Sequence, residues 1–144
     1  MKSPPSGTSS LSGGTALQQH GSFATTINCM DGRVQLPVIQ WAMQEYGVDY
    51  VDSITEPGPI KILSENEDVA IVASIRRRLD ISVGLHKSRA INVVAHYDCG
   101  GNPVDKDAQM VQLASAIERV KVWGHGLPIG GLWVDEHWTV HPVQ

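Results

Sequence analysis

A continuous β-branched run, Ala90-Ile91-Asn92-Val93-Val94-Ala95, constrains the fold of this 144-residue chain more than any other segment. It is too short for an ordinary helix and lacks the alternation of a half-exposed strand. It therefore reads as a strand covered on both faces. Covering both faces takes helices on both sides, and the flanking sequence supplies them. Upstream, Val69, Val72, Ile75, Leu79 and Val83 fall on one helical face, behind Ser64-Glu65-Asn66-Glu67, which has the form of a capping box. Downstream, Met110, Leu113, Ile117 and Val120 mark the inward face of a helix from about Asp105 to Trp123, which Gly124 and Gly126 end.

The same alternation extends to the rest of the chain. Phe23 to Asn28 reads as a buried strand ending at Cys29, and Leu36, Ile39, Met43 and Tyr46 repeat at helical spacing up to a stop at Gly47. Asp49 to Thr55 reads as a further strand, broken by Glu56-Pro57-Gly58-Pro59, where two prolines around a glycine exclude regular structure. Ile129 to Val134 and Trp138 to Val143 read as a closing strand or hairpin, with Asp135-Glu136-His137 at the turn. Strands alternating with helices predict an α/β fold: a single domain with a mainly parallel central sheet flanked by helices.

A net charge of -4 argues against a nucleic-acid binder, and no apolar run approaches the ~20 residues that span a bilayer. Residues 1–22 are rich in Ser, Gly, Pro, Thr and Gln, with Lys2 as their single basic side chain. They fit neither a secretory signal nor a transit peptide and read as a disordered or loosely ordered arm, leaving 23–144 as the folded domain. A cytoplasmic location is the corresponding expectation.

The chain has two cysteines, and each closes a predicted buried strand. One lies in Cys29-Met30-Asp31-Gly32-Arg33 and the other in His96-Tyr97-Asp98-Cys99-Gly100-Gly101. His-x-x-Cys in a turn lets both side chains reach one ion, and ligands of α/β folds gather outside the carboxyl ends of parallel strands. Two sulfurs and an imidazole there make a three-ligand zinc site with a fourth position to spare, as catalytic zinc requires. Residues two apart on an extended segment share a direction, so Asp31 and Arg33 accompany Cys29. A bidentate pair with Arg33 would keep the Asp31 carboxylate beside the metal but off it; release would let Asp31 close the site. Arg76, Arg77 and Arg78 read as a solvated face, and His86, His125, His137 and His141 as surface groups. Trp123, Trp133 and Trp138 read as core or subunit-interface residues.

These two motifs together resemble the signature of the β-class carbonic anhydrases, Cys-x-Asp-x-Arg followed by His-x-x-Cys. The resemblance runs from about Phe23 to Val140. It implies a zinc enzyme that reversibly hydrates carbon dioxide to bicarbonate by a zinc-bound hydroxide. Cys29, His96 and Cys99 would bind Zn2+, Asp31 and Arg33 would form a gating dyad, and Val34, Leu36 or a partner's aromatic would line the pocket. It also implies a homodimer or higher homo-oligomer. The segment Thr55-Glu56-Pro57-Gly58-Pro59 stands where many members carry an Arg-Asn-Ala-Gly-like loop, and the family's substrate-holding glutamine has no aligned counterpart in Gln18, Gln19 or His20. Alternatives are hydrolysis of carbon disulfide or carbonyl sulfide at the same zinc, a non-catalytic zinc module closed by Asp31, and a metal-free dithiol. The last is disfavoured by the absence of a Cys-x-x-Cys pair.

Overall fold

A computed structural model describes residues 21–144. The arm expected over 1–22 falls almost wholly outside them; Ser22, at its end, donates from its backbone N–H and its hydroxyl to the Asp49 carboxylate at 3.1 and 3.2 Å. Beyond it run β1 (Phe23–Cys29), α1 (Gln35–Tyr46), β2 (Tyr50–Glu56), α2 (Pro59–Glu65), α3 (Val69–Leu85), β3 (Ile91–His96), α4 (Lys106–Val122), β4 (Ile129–Val134) and β5 (Val140–Val143). The strands form one sheet in the order β2-β1-β3-β4-β5, parallel except for the β4–β5 hairpin. The α/β class and mainly parallel sheet expected from the sequence are what the chain adopts.

β3 is buried at all six positions, because helices cover both faces as its composition demanded. Ile27, Ile54, Ile91, Val93, Ala95 and Trp133 pack beneath α2, α3 and α4, while Val94, Leu132 and Val134 pack with Val34 and Val38 under α1. Alternate residues of one strand thus feed two cores. β1 keeps β2 as its neighbour as far as Cys29 and Glu56, and β3 keeps β4 as far as His96 and Val134. Between them, however, β1 and β3 pair only from Thr25 and Ile91 to Ile27 and Val93. There the sheet splits, at the point where the strand order reverses direction, which is the ligand-collecting crevice of an open α/β sheet.

Four local expectations are corrected. The face of α1 turned inward carries Val38 and Ala42, whereas Leu36 is 66% exposed. The helical repeat Leu36, Ile39 and Met43 instead lines an apolar groove with Tyr50 and Val51 beside edge strand β2. Pro59 does not prolong a loop but opens α2, where its missing N–H would be unpaired anyway. Asp68 rather than Ser64 caps α3, accepting from the Ile71 N–H at 3.1 Å, because Ser64 is still in the last turns of α2 and donates to the Lys61 carbonyl. The arginine run is not simply solvated: Arg78 pairs with Glu56 and Arg76 lies over the Trp123 ring.

Replacing a helix N-cap carboxylate by alanine costs about 1 kcal/mol. Asp68→Ala is therefore expected to lower the unfolding free energy by about that much in urea titration, while Ser64→Ala leaves it within about 0.5 kcal/mol of the wild type.

Candidate metal centre

The first motif does not run on as extended chain. β1 ends at Cys29, and Asp31 caps a 3-10 turn, Gly32–Val34, through its carboxylate on the Arg33 N–H at 2.9 Å. This corrects the premise that put Cys29, Asp31 and Arg33 on one side of a strand. The turn brings Asp31 and Arg33 together regardless. Arg33 Nη2 donates to Asp31 Oδ2 at 2.7 Å, and Nε donates to both carboxylate oxygens at 3.1 and 3.2 Å.

The second motif arrives on β3. His96 is 1% exposed, and its Nδ1 is 2.7 Å from the Tyr97 carbonyl oxygen, a contact that makes Nδ1 the protonated nitrogen. Nε2 is then buried without a hydrogen-bond partner. That is a costly position for a polar atom unless something not made of protein occupies it. Asp98 follows in left-handed backbone at φ 57°, a conformation aspartate tolerates, and the chain turns so that Cys99 faces Cys29.

Cys29, His96 and Cys99 present their ligand atoms within 4.8 Å of one another, and the two sulfurs are 3.9 Å apart. Sulfurs on one tetrahedral zinc, with Zn–S bonds of ~2.3 Å, would be about 3.8 Å apart. All three residues are buried and neither cysteine is in a disulfide. The donor set therefore fits zinc, with two sulfurs and one imidazole nitrogen, Nε2, that faces the Cys29 sulfur and has no geometric hydrogen-bond partner among the described residues. The Cys29 thiol lies far below its ordinary value, chiefly because Cys99 donates to it, against the opposing effect of burial; His96 and the N–H groups of Gly58 and Asp31 add to the effect. Cys99 is pushed up by the same bond and by burial. The pair thus shares one proton between two sulfurs, and a bound cation would take that proton's place. At His96 burial opposes the imidazolium, but the neighbouring Cys29 sulfur and the Tyr97 carbonyl outweigh it and the net shift is upward.

The loop that follows Cys99 locks by backbone contact against the bend that follows β2. A Cβ on Gly58, which sits at φ +63°, would lie 2.9 Å from the Gly101 carbonyl oxygen, and one on Gly101 would lie 2.7 Å from the Pro57 carbonyl carbon. The Pro57-Gly58 bend that follows β2 is thus pressed against the Gly100-Gly101 loop, and Arg78 on α3 fixes its near end through Glu56.

Several residues of the site escaped sequence reasoning. Arg33 also reaches across the crevice, donating to Asp98 Oδ2 at 3.3 Å and to the Asp98 carbonyl at 3.1 Å, and its guanidinium lies 4.5 Å over the Trp138 ring. Trp138 is itself in left-handed backbone at φ 60°, a conformation unusual for so bulky a residue. No sequence spacing links Arg33 with either. Of the remaining histidines, His86 pairs with Asp52, His125 with Asp80 and His141 with Asp135, all away from the cysteines. Trp133 packs in the core, as expected.

Arg33 holds the Asp31 carboxyl down at about 2, first by hydrogen bonding and then by charge. A carboxyl with a depressed folded value stabilises the fold above its unfolded pKa of ~3.9 and loses that contribution as pH falls through the folded value. A carbon-detected NMR titration is expected to place the Asp31 midpoint near 2 in the wild type. In Arg33→Gln the midpoint should return toward ~4, so that the Asp31 contribution no longer extends below that pH.

Comparison with known proteins gives the same direction. A family model described as "Putative carbonic anhydrase" matches residues 19–144. No curated protein sequence matches. Among solved structures, the β-carbonic anhydrase isoform I of Trichomonas vaginalis superposes with a TM-score of 0.52 at 17% identity, over 83% of this chain and 80% of that one. A mutant of the β-carbonic anhydrase CafD of Aspergillus fumigatus gives 0.52 at 14% identity, over 88% and 91%. At such identities the superpositions speak for the fold, and the family match covers nearly all of the described chain. The chain is a divergent member of the β-class carbonic anhydrase family.

Proposed function

We propose that this protein is a zinc-dependent carbonic anhydrase that interconverts carbon dioxide and bicarbonate. The observation that carries the proposal is the buried, partnerless Nε2 of His96 beside two thiols at zinc-ligand spacing. Cys29, His96 and Cys99 would hold the ion. Zinc bound there supplies a Lewis acid that brings a water's pKa toward neutrality, so that a nucleophile is available at physiological pH.

The remaining roles belong to the protein. Asp31 receives three N–H donors from Arg33, namely Nη2, Nε and the backbone amide. An ionised carboxylate offers about four acceptor directions, and Nε is shared between both oxygens at 3.1 and 3.2 Å, so yielding one of those two contacts would let Asp31 accept a hydrogen bond from the reacting water and orient it. Arg33, tied also to Asp98 and stacked on Trp138, holds Asp31 away from the sulfurs and leaves the fourth ligand position to solvent or substrate. This pairing favours a catalytic site over a non-catalytic module closed by Asp31. Carbon dioxide is small and apolar, and Val34, Val94 and Leu132 give the crevice an apolar floor beside the two cysteines.

The chain is proposed to act as a homo-oligomer. The groove of Leu36, Ile39, Met43, Tyr50 and Val51 flanks β2, an edge strand of the sheet among the described residues, and apolar surface beside a sheet edge suits a second copy. Among the described residues no helix is long and apolar enough to cross a membrane.

Stopped-flow measurement on zinc-loaded protein is expected to show carbon dioxide hydration, and Cys29→Ser to lose zinc and turnover together. One zinc per chain without turnover would overturn the assignment, and sulfide release from carbon disulfide or carbonyl sulfide in its place would move it to those gases. Leu36→Glu with Met43→Glu is expected to shift the oligomer to monomer in light scattering while leaving zinc content unchanged.

A further inference from the structure

Where β1 and β3 separate, the backbone groups left without a ladder partner belong to the candidate ligands themselves. The Tyr97 N–H bonds the Val134 carbonyl on the β4 side, so by strand alternation the N–H and C=O of His96 turn toward the side that β1 has left. They are met by Gln109. Its Nε2 donates to the His96 carbonyl at 2.8 Å, and its Oε1 accepts from the His96 N–H at 3.3 Å. A carboxamide offers a donor and an acceptor in the spacing of a peptide group, so Gln109 takes the place of one residue of the missing strand. It is 2% exposed, deeper than the Met110 beside it, although polarity would have put it outside.

One turn on, the same face of α4 carries Gln112. Its Oε1 accepts from Asn102 Nδ2 at 2.7 Å and its Nε2 donates to Asn102 Oδ1 at 3.4 Å. Asn102 is 1% exposed, and its N–H bonds the Cys99 carbonyl at 3.2 Å. Gln109 and Gln112, at i and i+3 on one helix face, therefore act on the second motif in two ways: Gln109 grips the backbone of His96 directly, and Gln112 fixes the side chain of Asn102, whose N–H holds the Cys99 carbonyl.

We infer that this carboxamide clamp on α4 positions His96 and Cys99 for the metal, so that Gln109 and Gln112 set how tightly it is held. The inference rests on the metal site proposed above. Nothing in the clamp touches a ligand atom of His96; both residues act through backbone and loop placement. Partners at this remove from a metal typically govern 10- to 100-fold in affinity.

Zinc affinity of the full chain, by competition with a chromophoric chelator, tests it together with the visible spectrum of the cobalt(II)-substituted protein. Gln109→Leu removes both bonds at similar volume and is expected to weaken zinc binding by about 10- to 100-fold and to alter the cobalt spectrum. Gln109→Glu, which keeps the acceptor and loses the donor, is expected to fall between Gln109→Leu and the wild type. Gln112→Leu should lower affinity by a smaller factor, and it decides the matter should Gln109→Leu fail to fold. Wild-type affinity and spectrum in Gln109→Glu and Gln112→Leu, even with a lowered melting temperature of the metal-free protein, would reduce the clamp to a fold-stabilising role and overturn the inference. A wild-type chain that does not retain zinc would overturn the metal site and the clamp with it, and that outcome is visible before any variant is made.

Discussion

Three residue pairs hold β1 to β3, and the strands then diverge while each keeps its outer neighbour. Everything chemical in this molecule follows from that divergence. A sheet that stayed zipped would continue the register to pair Cys29 with Ala95 and turn His96 to the opposite face, leaving the two no common space for an ion. A sheet that split earlier would lose the pairing that fixes their relative height. The split falls at the change of strand order, where the connections leave the sheet in opposite directions. The cost of opening is a set of backbone groups with no strand to bond. Side-chain amides meet it on both sides: Asn28 Oδ1 and Gln35 Nε2 take the Cys29 N–H and C=O, as Gln109 takes those of His96.

The two halves of the crevice are also tied from outside. The interlocked glycines of the Pro57-Gly58 and Gly100-Gly101 loops press the bend after β2 against the loop that follows Cys99. Arg33 links the first motif to Asp98 in the second and to Trp138 beyond β4, so that three separate segments meet at one guanidinium. Fixing an arginine from several sides means that its hold on Asp31 does not rest on one solvent-exposed ion pair, a type of contact that contributes little alone.

Much of this was legible in the sequence. The β-branched run at 91–94 announced a strand covered on both faces, and the two cysteine motifs could be placed at strand ends because strands alternated with helices. Cys29, His96 and Cys99 were readable as a set because ligand chemistry restricts residue type and His-x-x-Cys restricts spacing. What failed was whatever depends on which neighbour wins. Leu36 and Met43 have the spacing of a buried face, yet the sheet is covered by Val38 and Ala42, small enough for close approach of helix to sheet. Ser64 has the spacing of a cap but lies inside another helix, which the flanking prolines hid. Gln109 looks like a surface residue, since polarity is the signal for exposure and its backbone partners exist only after β1 and β3 have parted. Asp98 and Trp138 meet Arg33 through tertiary geometry that no local pattern encodes.

The residues that frame the crevice, Asn28, Gln35, Asn102, Gln109 and Gln112, are all amides. Amides carry no charge at any pH a cell meets and are nearly indifferent to ionic strength. Within one site, then, the parts that exchange protons and the parts that hold shape are chemically separate. Acidification or salt can change the occupancy of the sulfurs, the imidazole and the Asp31–Arg33 pair while the scaffold beneath them stays in register. A frame of carboxylates and lysines would have shifted under those same conditions.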